Sequence, residues 1–284
     1  MVPPPSFRIP TAIDAMKRLE VSQSCIKGLQ AEAKIDHFGK GGRFRGVMMV
    51  YAAPKARLRM DVLSPFGTNM ATLTSDGRQF QVFDLQESRF FQGLATACNL
   101  AQFTGVELEE DVFVHLLLGT SSVLYPQKVK ETSIQWVSKG FYQIVLADGE
   151  GNTQELEVAP KPSDRTKPWQ EQQLRVLAVR VKQGQRILYQ ATFADHTIPA
   201  HDRTLDQQEG EDMTSLAQKL AVCRAEIPYR IHLEVPAQKQ DILIRYDSVL
   251  WNPVLNANVF VQRPPFGLLP QEVTCNQDRR SKAR

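Results

Sequence analysis

The chain has 284 residues, of which 42% are hydrophobic and 23% charged, and its formal net charge is only +3. This is the composition of a globular protein that is long enough to bury a core without disulfide staples. Acidic and basic residues alternate through most of the sequence, and the one basic run, at 279–284, is terminal. A basic face or stripe for nucleic acid is therefore absent from the pattern, and we expect no nucleic-acid partner.

The N-terminal segment and the apolar runs bear on the cellular compartment. No apolar run reaches the ~20 residues of a membrane-spanning helix. The opening segment, MVPPPSFRIP, has neither the basic nor the apolar region of a signal peptide. It is compatible with a cytosolic start and equally with a trimmed mature chain, because its prolines suit an extended tether. We interpret residues 1–10 as a tether.

The four cysteines are Cys25, Cys98, Cys223 and Cys275. They are far apart and form no CxxC pair, which excludes the usual zinc and thioredoxin spacings. An even number is compatible with disulfides in an oxidising compartment, and Cys223 with Cys275 is then the preferred pair. Buried free thiols are the alternative, and the sequence leaves both open.

The first third of the chain predicts one helix followed by strands. Thr11 is a candidate N-cap, and Ile13, Met16 and Leu19 are spaced for one helical face. The hydrophobic period then changes from about 3.6 residues to 2, which is typical of strands. The predicted strands are 28–35, 44–52, 57–63, 70–74, 79–83 and 89–91.

A helical insertion separates these strands from a second run. We expect two helices within residues 93–119, one ending at Gly105 and one ending before Gly119, because glycine is favoured just past a helix end. Strands are then predicted at 133–137, 142–146, 154–158, 174–181 and 186–193. A helix at 213–223 and a hairpin of strands 229–235 and 241–250 follow.

About a dozen antiparallel strands with few helices predict a mainly β protein built on one highly curved sheet or barrel. In the strand 57–63, Leu58, Met60 and Val62 share one face, and charged residues occupy the other. One face of the sheet is therefore expected to be apolar and the other to face water. The two apolar helices of the insertion are the expected cover for the apolar face.

One turn departs from the rule that loop tips are polar. In Ser64-Pro65-Phe66-Gly67, the proline and the glycine occupy the positions that a type I turn favours. The phenyl ring of Phe66 is thereby placed at the tip. From turn chemistry alone, Phe66 would fold back over the core.

Motifs for catalysis and for cofactor binding are absent from the sequence. It contains no GxSxG, HExxH or SxxK motif and no phosphate-binding GxxxxGK[ST] frame. The five histidines are scattered. We expect no catalytic residues, no metal site and no cofactor.

The order of strand, SPFG turn, strand, DG turn, strand and apolar helix resembles the LolB family of outer-membrane lipoprotein receptors, and more loosely the periplasmic carrier LolA. The segments that carry the resemblance are ARLRMDVLSPFGTNMATL and VELEEDVFVHLLLG. The match is good over about residues 28–119 and weakens beyond residue 193.

The resemblance implies a single half-open antiparallel β-barrel, capped by helices, over residues 11–262. The hairpin at about 228–251 is expected as an addition to the family pattern, and residues 263–284 as a C-terminal extension that is partly coil. It also implies that the turn of Pro65, Phe66 and Gly67 projects from the barrel and touches the membrane.

Family members hold lipoprotein acyl chains in the barrel. For this chain we expect an acyl-chain cavity lined by apolar residues of the strands and of the second helix. These residues are Met48, Leu58, Met60, Val62, Val112, Leu116, Ile187, Tyr189 and Leu233.

The leading functional hypothesis is a non-enzymatic outer-membrane lipoprotein that faces the periplasm and is tethered through a lipidated cysteine preceding this sequence. It would bind acyl chains of lipoproteins or a related lipid, with a LolA-like carrier as a possible donor, and pass them to the inner leaflet of the outer membrane. One alternative keeps the fold but makes it a binding or assembly module of a cell-envelope complex. Another is an enzyme acting on a lipid or polysaccharide.

Overall fold

The computed structural model describes residues 1–39, 41–121, 129–201 and 225–275. Within these ranges the helices are α1 (Ala12–Gln23), α2 (Ala97–Thr104) and α3 (Glu110–Leu117). None of the helices in the described ranges has the length and apolar character that crossing a bilayer requires. The helix predicted at 213–223 lies outside the described residues.

All the strands that the period-two pattern predicts are present, and most are longer at their ends, whereas two short strands at 200–201 and 271–273 were not predicted. The strands are β1 (Leu29–Gly39), β2 (Gly42–Ala53), β3 (Arg57–Leu63), β4 (Asn69–Ser75), β5 (Gln79–Asp84), β6 (Arg89–Leu94), β7 (Glu131–Val137), β8 (Phe141–Ala147), β9 (Asn152–Pro160), β10 (Leu174–Gln183), β11 (Arg186–Thr197), β12 (Ala200–His201), β13 (Ile227–Val235), β14 (Gln240–Trp251) and β15 (Gln271–Val273).

All of these strands belong to one sheet, in the order β15-β6-β5-β4-β3-β2-β1-β14-β13-β11-β10-β9-β8-β7, with β12 beside β14. The two ends of this order do not pair with each other, so the sheet is curved but unclosed. This confirms the predicted fold class. The hairpin of β13 and β14, expected as an addition, lies at the centre of the sheet and joins its two halves, with Leu29 opposite Trp251.

The antiparallel order places alternate turns at the same end of the sheet. The turns after β1, β3, β5, β8, β10 and β13 all lie at one end, which we call the upper rim. The turns after β2, β4 and β7 lie at the other end, the lower rim. The turn that carries Phe66 follows β3 and therefore belongs to the upper rim.

The concave face of the sheet is apolar and is covered by the helices. Thr11 caps α1 by accepting a hydrogen bond from the Asp14 amide. The buried face of α1 contains Ala12, Ala15 and Leu19, and the helix packs against β7 and β10. The prediction that Ile13 belongs to this face is wrong, because its side chain is 56% exposed. The buried residues of α1 recur every three to four positions, at 12, 15, 19 and 22, and position 13 lies off this face.

On the convex face, residues 252–275 form a segment that we call the C-terminal strap. Phe260 is fully buried beneath the Arg57 guanidinium, which lies 5.3 Å from the ring centroid. The side-chain amide of Gln262 donates hydrogen bonds to Thr72 O and to Thr74 Oγ1, both at 3.1 Å. The strap then continues into β15. These contacts explain why polar side chains on the outer face of β4 are buried.

A disulfide joins the strap to the helical insertion. Cys98 of α2 is bonded to Cys275, with a Cα–Cα distance of 6.1 Å, and Cys25 is disulfide-bonded as well. The predicted pair of Cys223 with Cys275 is therefore wrong, and these three cysteines are not free thiols. Pairing of β15 with β6 brings Cys275 beside the start of α2, a proximity that distance along the chain does not reveal. Cys223 lies outside the described residues.

The N-terminal segment interpreted as a tether lies along the domain. The Val2 amide donates to Ser138 O at 2.8 Å, and the Trp136 indole donates to Val2 O at 3.3 Å. The Ile9 amide donates to the Tyr142 hydroxyl at 3.1 Å, and Ile9 is 4% exposed. The first ten residues thus contact the edge of the sheet formed by β7 and β8.

Replacing both Cys98 and Cys275 with alanine should lower the free energy of unfolding by about 2–5 kcal/mol, the usual effect of losing a native disulfide. The bond closes a loop of 177 residues, so its loss increases the conformational entropy of the unfolded chain. Urea denaturation measures the change. A Gln86→Ala variant in an exposed turn is the control, and an unchanged midpoint in the double variant would show that the strap is held by its other contacts alone.

Candidate functional site

The turn between β3 and β4 holds Phe66 away from the protein. The Gly67 amide donates to Ser64 O at 2.9 Å, and the Ser64 amide donates to Thr68 O at 2.8 Å. The Ser64 hydroxyl accepts from the Phe66 and Thr68 amides at 3.2 and 3.1 Å. Gly67 has a φ of 78°, which favours glycine. The backbone is thus fixed, and the Phe66 side chain is 95% exposed. This agrees with the projection that the family resemblance implies, and the folded-back position expected from turn chemistry alone is wrong.

An apolar cavity of about 270 Å³ lies on the concave face beneath the upper rim. Met48, Met60 and Val62 line it on the strand side, together with Ile35 and Phe44 near the ends of their strands. Its other wall comes from the helical insertion. These insertion residues are Phe103, Thr104, Val106, Phe113 and Leu117. The cavity and the Phe66 turn are therefore at the same end of the sheet.

A second cavity, of about 630 Å³, lies on the opposite side of the helical insertion. Its wall combines apolar and charged side chains, and its strand residues again belong to the upper part of the sheet. The lining includes Leu108, Glu109, Val112, Leu146, Val181, Arg186, Leu188, Tyr189 and Val235. Burial, with a contribution from Glu109, raises the pKa of Tyr189, so its hydroxyl is neutral at physiological pH.

The nine residues predicted to line one cavity fall into separate groups. Met48, Met60 and Val62 line the apolar cavity, whereas Val112 and Tyr189 line the second one. Leu58, Leu116 and Leu233 are core residues, with exposed fractions of 2%, 3% and 2%. Ile187 is half-buried and lines neither cavity.

Leu188 takes the place that was predicted for Ile187. A register shift between Val181 and Lys182 pairs Val181 with Tyr189 and Lys182 with Ile187, so Leu188 is the extra residue. A bulge of this kind changes which side chain enters the cavity. Phe103 and Phe113 were also missed, although aromatic residues on the apolar faces of the covering helices were a signal for them.

The helical insertion is fixed at several points. Gly105 ends α2 with a φ of 73°. The Tyr246 hydroxyl of β14 donates to Leu117 O at 2.9 Å, which anchors the end of α3. Between α2 and α3, the Glu107 amide donates to Gln238 Oε1 at 2.9 Å, and the Gln238 side-chain amide donates to Glu107 O at 3.2 Å. The cover therefore depends on a few polar contacts as well as on apolar packing.

Glu110, in the first turn of α3, is a buried carboxyl group. Its exposed fraction is 5%, and neither carboxyl oxygen has a hydrogen-bond partner. Burial raises its pKa to about 7, the nearby Ser75 hydroxyl opposes this shift, and the charges of Asp76 and Asp111 add to it. Because α3 covers both cavities, the ionisation of Glu110 acts on the element that separates them.

The outer side of the upper rim is rich in arginine. Arg43 and Arg45 both form ion pairs with Asp36. Hydrogen bonding to Arg43, together with Arg45, lowers the pKa of Asp36 to about 2. Among the described residues, no group of three or more His, Cys, Asp and Glu side chains is placed to hold a metal ion.

No family model and no curated protein sequence matches the chain. Solved structures do match it. A domain named for outer membrane lipoprotein sorting, from Vibrio parahaemolyticus, has 11% identity and a TM-score of 0.51, with 88% of this chain and 95% of that chain covered. A DUF1329 family protein from Desulfovibrio piger has 10% identity and a TM-score of 0.50, with 87% and 97% covered.

A LolA superfamily protein from Nitrosomonas europaea has 12% identity and a TM-score of 0.48, with 89% of this chain and 99% of that chain covered. At such low identities, structural likeness establishes the fold alone. The chain thus has a mainly β, unclosed fold like those of the Vibrio parahaemolyticus domain and the Desulfovibrio piger protein.

Glu110→Gln should remove a pH dependence of stability. The folded-state pKa of Glu110 is raised from an ordinary 4.5 to about 7, so the native state retains the proton and loses stability as the pH rises between these values. At 1.36 kcal/mol per pKa unit the total is roughly 3 kcal/mol. Urea denaturation from pH 4.5 to 7.5 measures it. The neighbouring exposed Glu109→Gln is the control, and an equal slope in both variants would contradict the assignment.

Proposed function

We propose that this protein binds acyl chains of lipoproteins, or of related lipids, in its apolar cavity and delivers them to the outer membrane without a chemical step. The observation that carries the proposal is the position of the apolar cavity beneath the same rim that presents Phe66. A lipid leaving the cavity at this rim meets the membrane where the exposed ring touches it.

The energetics suit reversible binding. Each acyl methylene that is buried contributes about 0.8 kcal/mol. The volume of about 270 Å³ is close to the lower end of the range for ligand pockets, which begins near 300 Å³. The cavity accordingly holds part of an acyl chain. The second cavity, on the other side of α3, offers space for a further chain of a lipoprotein that carries several.

Phe66 acts at the membrane surface. Complete burial of a phenyl ring contributes roughly 1.5–3 kcal/mol, which supports a transient contact. The hydrogen bonds of Ser64 keep the ring presented, so little conformational entropy is lost on contact. Transfer then requires only an affinity that increases from carrier to receptor to bilayer.

We place the protein on the periplasmic side of the outer membrane, anchored by a lipidated cysteine, with a LolA-like carrier as donor and the inner leaflet as acceptor. The disulfide between Cys98 and Cys275 supports an oxidising compartment. The fold shared with a domain named for outer membrane lipoprotein sorting supports the same location.

A second candidate is a binding or assembly module of a cell-envelope complex that transfers no lipoprotein. It is favoured by the dense packing of Leu58, Leu116 and Leu233, which fill space expected to be open. The charged lining of the larger cavity favours it too, because Glu109 and Arg186 suit a polar ligand. Binding of an acyl probe separates the two candidates.

Met60→Trp should weaken binding of a fluorescent fatty-acyl probe by about tenfold or more, because the indole fills space that several methylenes would occupy. Fluorescence titration measures the dissociation constant. Met49→Trp on the outer face of β2 is the matched control and should bind like the wild type. Equal affinity of all three proteins would place the probe outside the apolar cavity.

Phe66→Glu should leave the fold intact and abolish delivery of a lipoprotein to liposomes, because a carboxylate at the tip opposes entry into the bilayer. Transfer from the loaded protein to sedimenting vesicles measures delivery. Val254→Glu, at an exposed apolar site near the lower rim, should deliver normally. Full delivery by the Phe66 variant would contradict the role given to this turn.

A further inference from the structure

A second exposed turn repeats the Pro-Phe-Gly sequence of the first. In Pro265-Phe266-Gly267, the glycine has a φ of 82°, and the Leu268 amide donates to Pro265 O at 3.0 Å. Phe266 is 108% exposed, and Leu269 is 85% exposed. Two distant segments of the chain thus form tight turns that hold a phenyl ring in solvent.

This second turn is held firmly on both sides. Before it, Gln262 is bonded to the outer face of the sheet, where its backbone N–H also donates to Gln81 Oε1 at 3.2 Å. After it, β15 pairs with β6, and Cys275 is linked to Cys98. Residues 263–270 therefore form a loop between two fixed ends. Because both of its ends are anchored, the fold itself holds the apolar side chains of this loop in solvent.

Strand register places this loop at the upper rim. β15 runs parallel to β6. Gln271 pairs with Phe91, which is close to the start of β6 at the upper rim. The loop therefore enters β15 from the upper rim, where the turn of Phe66 also lies. Gln262 contacts β4 and β5, whereas Phe66 follows β3. With strands ~4.8 Å apart, the two turns are separated along the rim by roughly 10–15 Å.

The surroundings of the two turns favour a bilayer as the common partner. Each ring projects from its own convex turn. A flat, deformable surface is therefore suited to contact both rings at once. Arg263 is exposed and forms no ion pair with a described residue, and Arg45 lies on the outer face near the first turn. Arginines beside apolar tips match the anionic headgroups and the acyl boundary of a membrane.

We infer that residues 263–270 form a second membrane-contacting loop, in which Phe266 and Leu269 enter a phospholipid bilayer together with Phe66. The inference rests on the proposed function in taking the upper rim as the membrane-facing end. Two linked contacts make the second one effectively intramolecular, so joint binding exceeds that of either turn. Two contacts also fix the orientation of the rim, and with it the cavity, relative to the membrane.

Co-sedimentation with vesicles of phosphatidylethanolamine and phosphatidylglycerol tests the inference on the full chain. Phe266→Glu should reduce the vesicle affinity about tenfold or more, as should Phe66→Glu, and Val254→Glu in the same strap should not change it. Phe266→Leu should retain most of the affinity. Binding of the fatty-acyl probe in solution should be unchanged in all four variants, because none of these side chains lines a cavity.

The outcomes separate this inference from the proposed function. Wild-type affinity for vesicles in Phe266→Glu, beside a loss in Phe66→Glu, would overturn the second contact and leave the first standing. Absence of vesicle binding by the wild type would overturn the second contact as well, and the acyl probe would then decide cavity binding by itself. A loss in Phe266→Glu with an intact probe affinity supports the second loop.

Discussion

An unclosed sheet with an apolar concave face has to be covered, because its inner side chains would otherwise meet water at a cost of about 25 cal/mol per Å². The rest of the molecule follows from this constraint. α1 packs against one half of the concavity with its small residues, and the insertion of α2 and α3 covers the other half. Where the cover fits imperfectly, beneath the upper rim, two cavities remain.

The convex face is covered in a different manner. Thr72, Thr74 and Gln81 are polar and yet buried, because the C-terminal strap covers them. Gln262 donates hydrogen bonds to the Thr72 carbonyl, the Thr74 hydroxyl and Gln81 Oε1. Polar contacts fix position more strictly than apolar ones, since each buried donor needs its acceptor. The strap is thus held in one register, and its exposed loop is held with it.

Local patterns were sufficient for much of this fold. The period of two predicts the strands, and Thr11 and Gly105 mark helix ends, because each depends on neighbours in sequence. Turn chemistry alone predicts a Phe66 folded back over the core, and its outward position follows instead from the family resemblance. The partner of Cys275, the exposure of Ile13 and the bulge that replaces Ile187 with Leu188 depend on which distant strands pair. The single predicted cavity was divided for the same reason: the path of α3 across the concavity is a tertiary property.

The bond between Cys98 and Cys275 lies at the lower end of the paired strands β6 and β15 and joins this edge of the sheet to the helical insertion. One sulfur belongs to α2, whose Phe103 forms part of the cavity wall, and the other belongs to the strap that carries Phe266. The disulfide therefore links the helical insertion covalently to the C-terminal strap across the edge of the sheet. A displacement of the loop reaches the wall of the apolar cavity along β15 and through this one covalent bond, and not only along the sequence separation of 177 residues between the two cysteines.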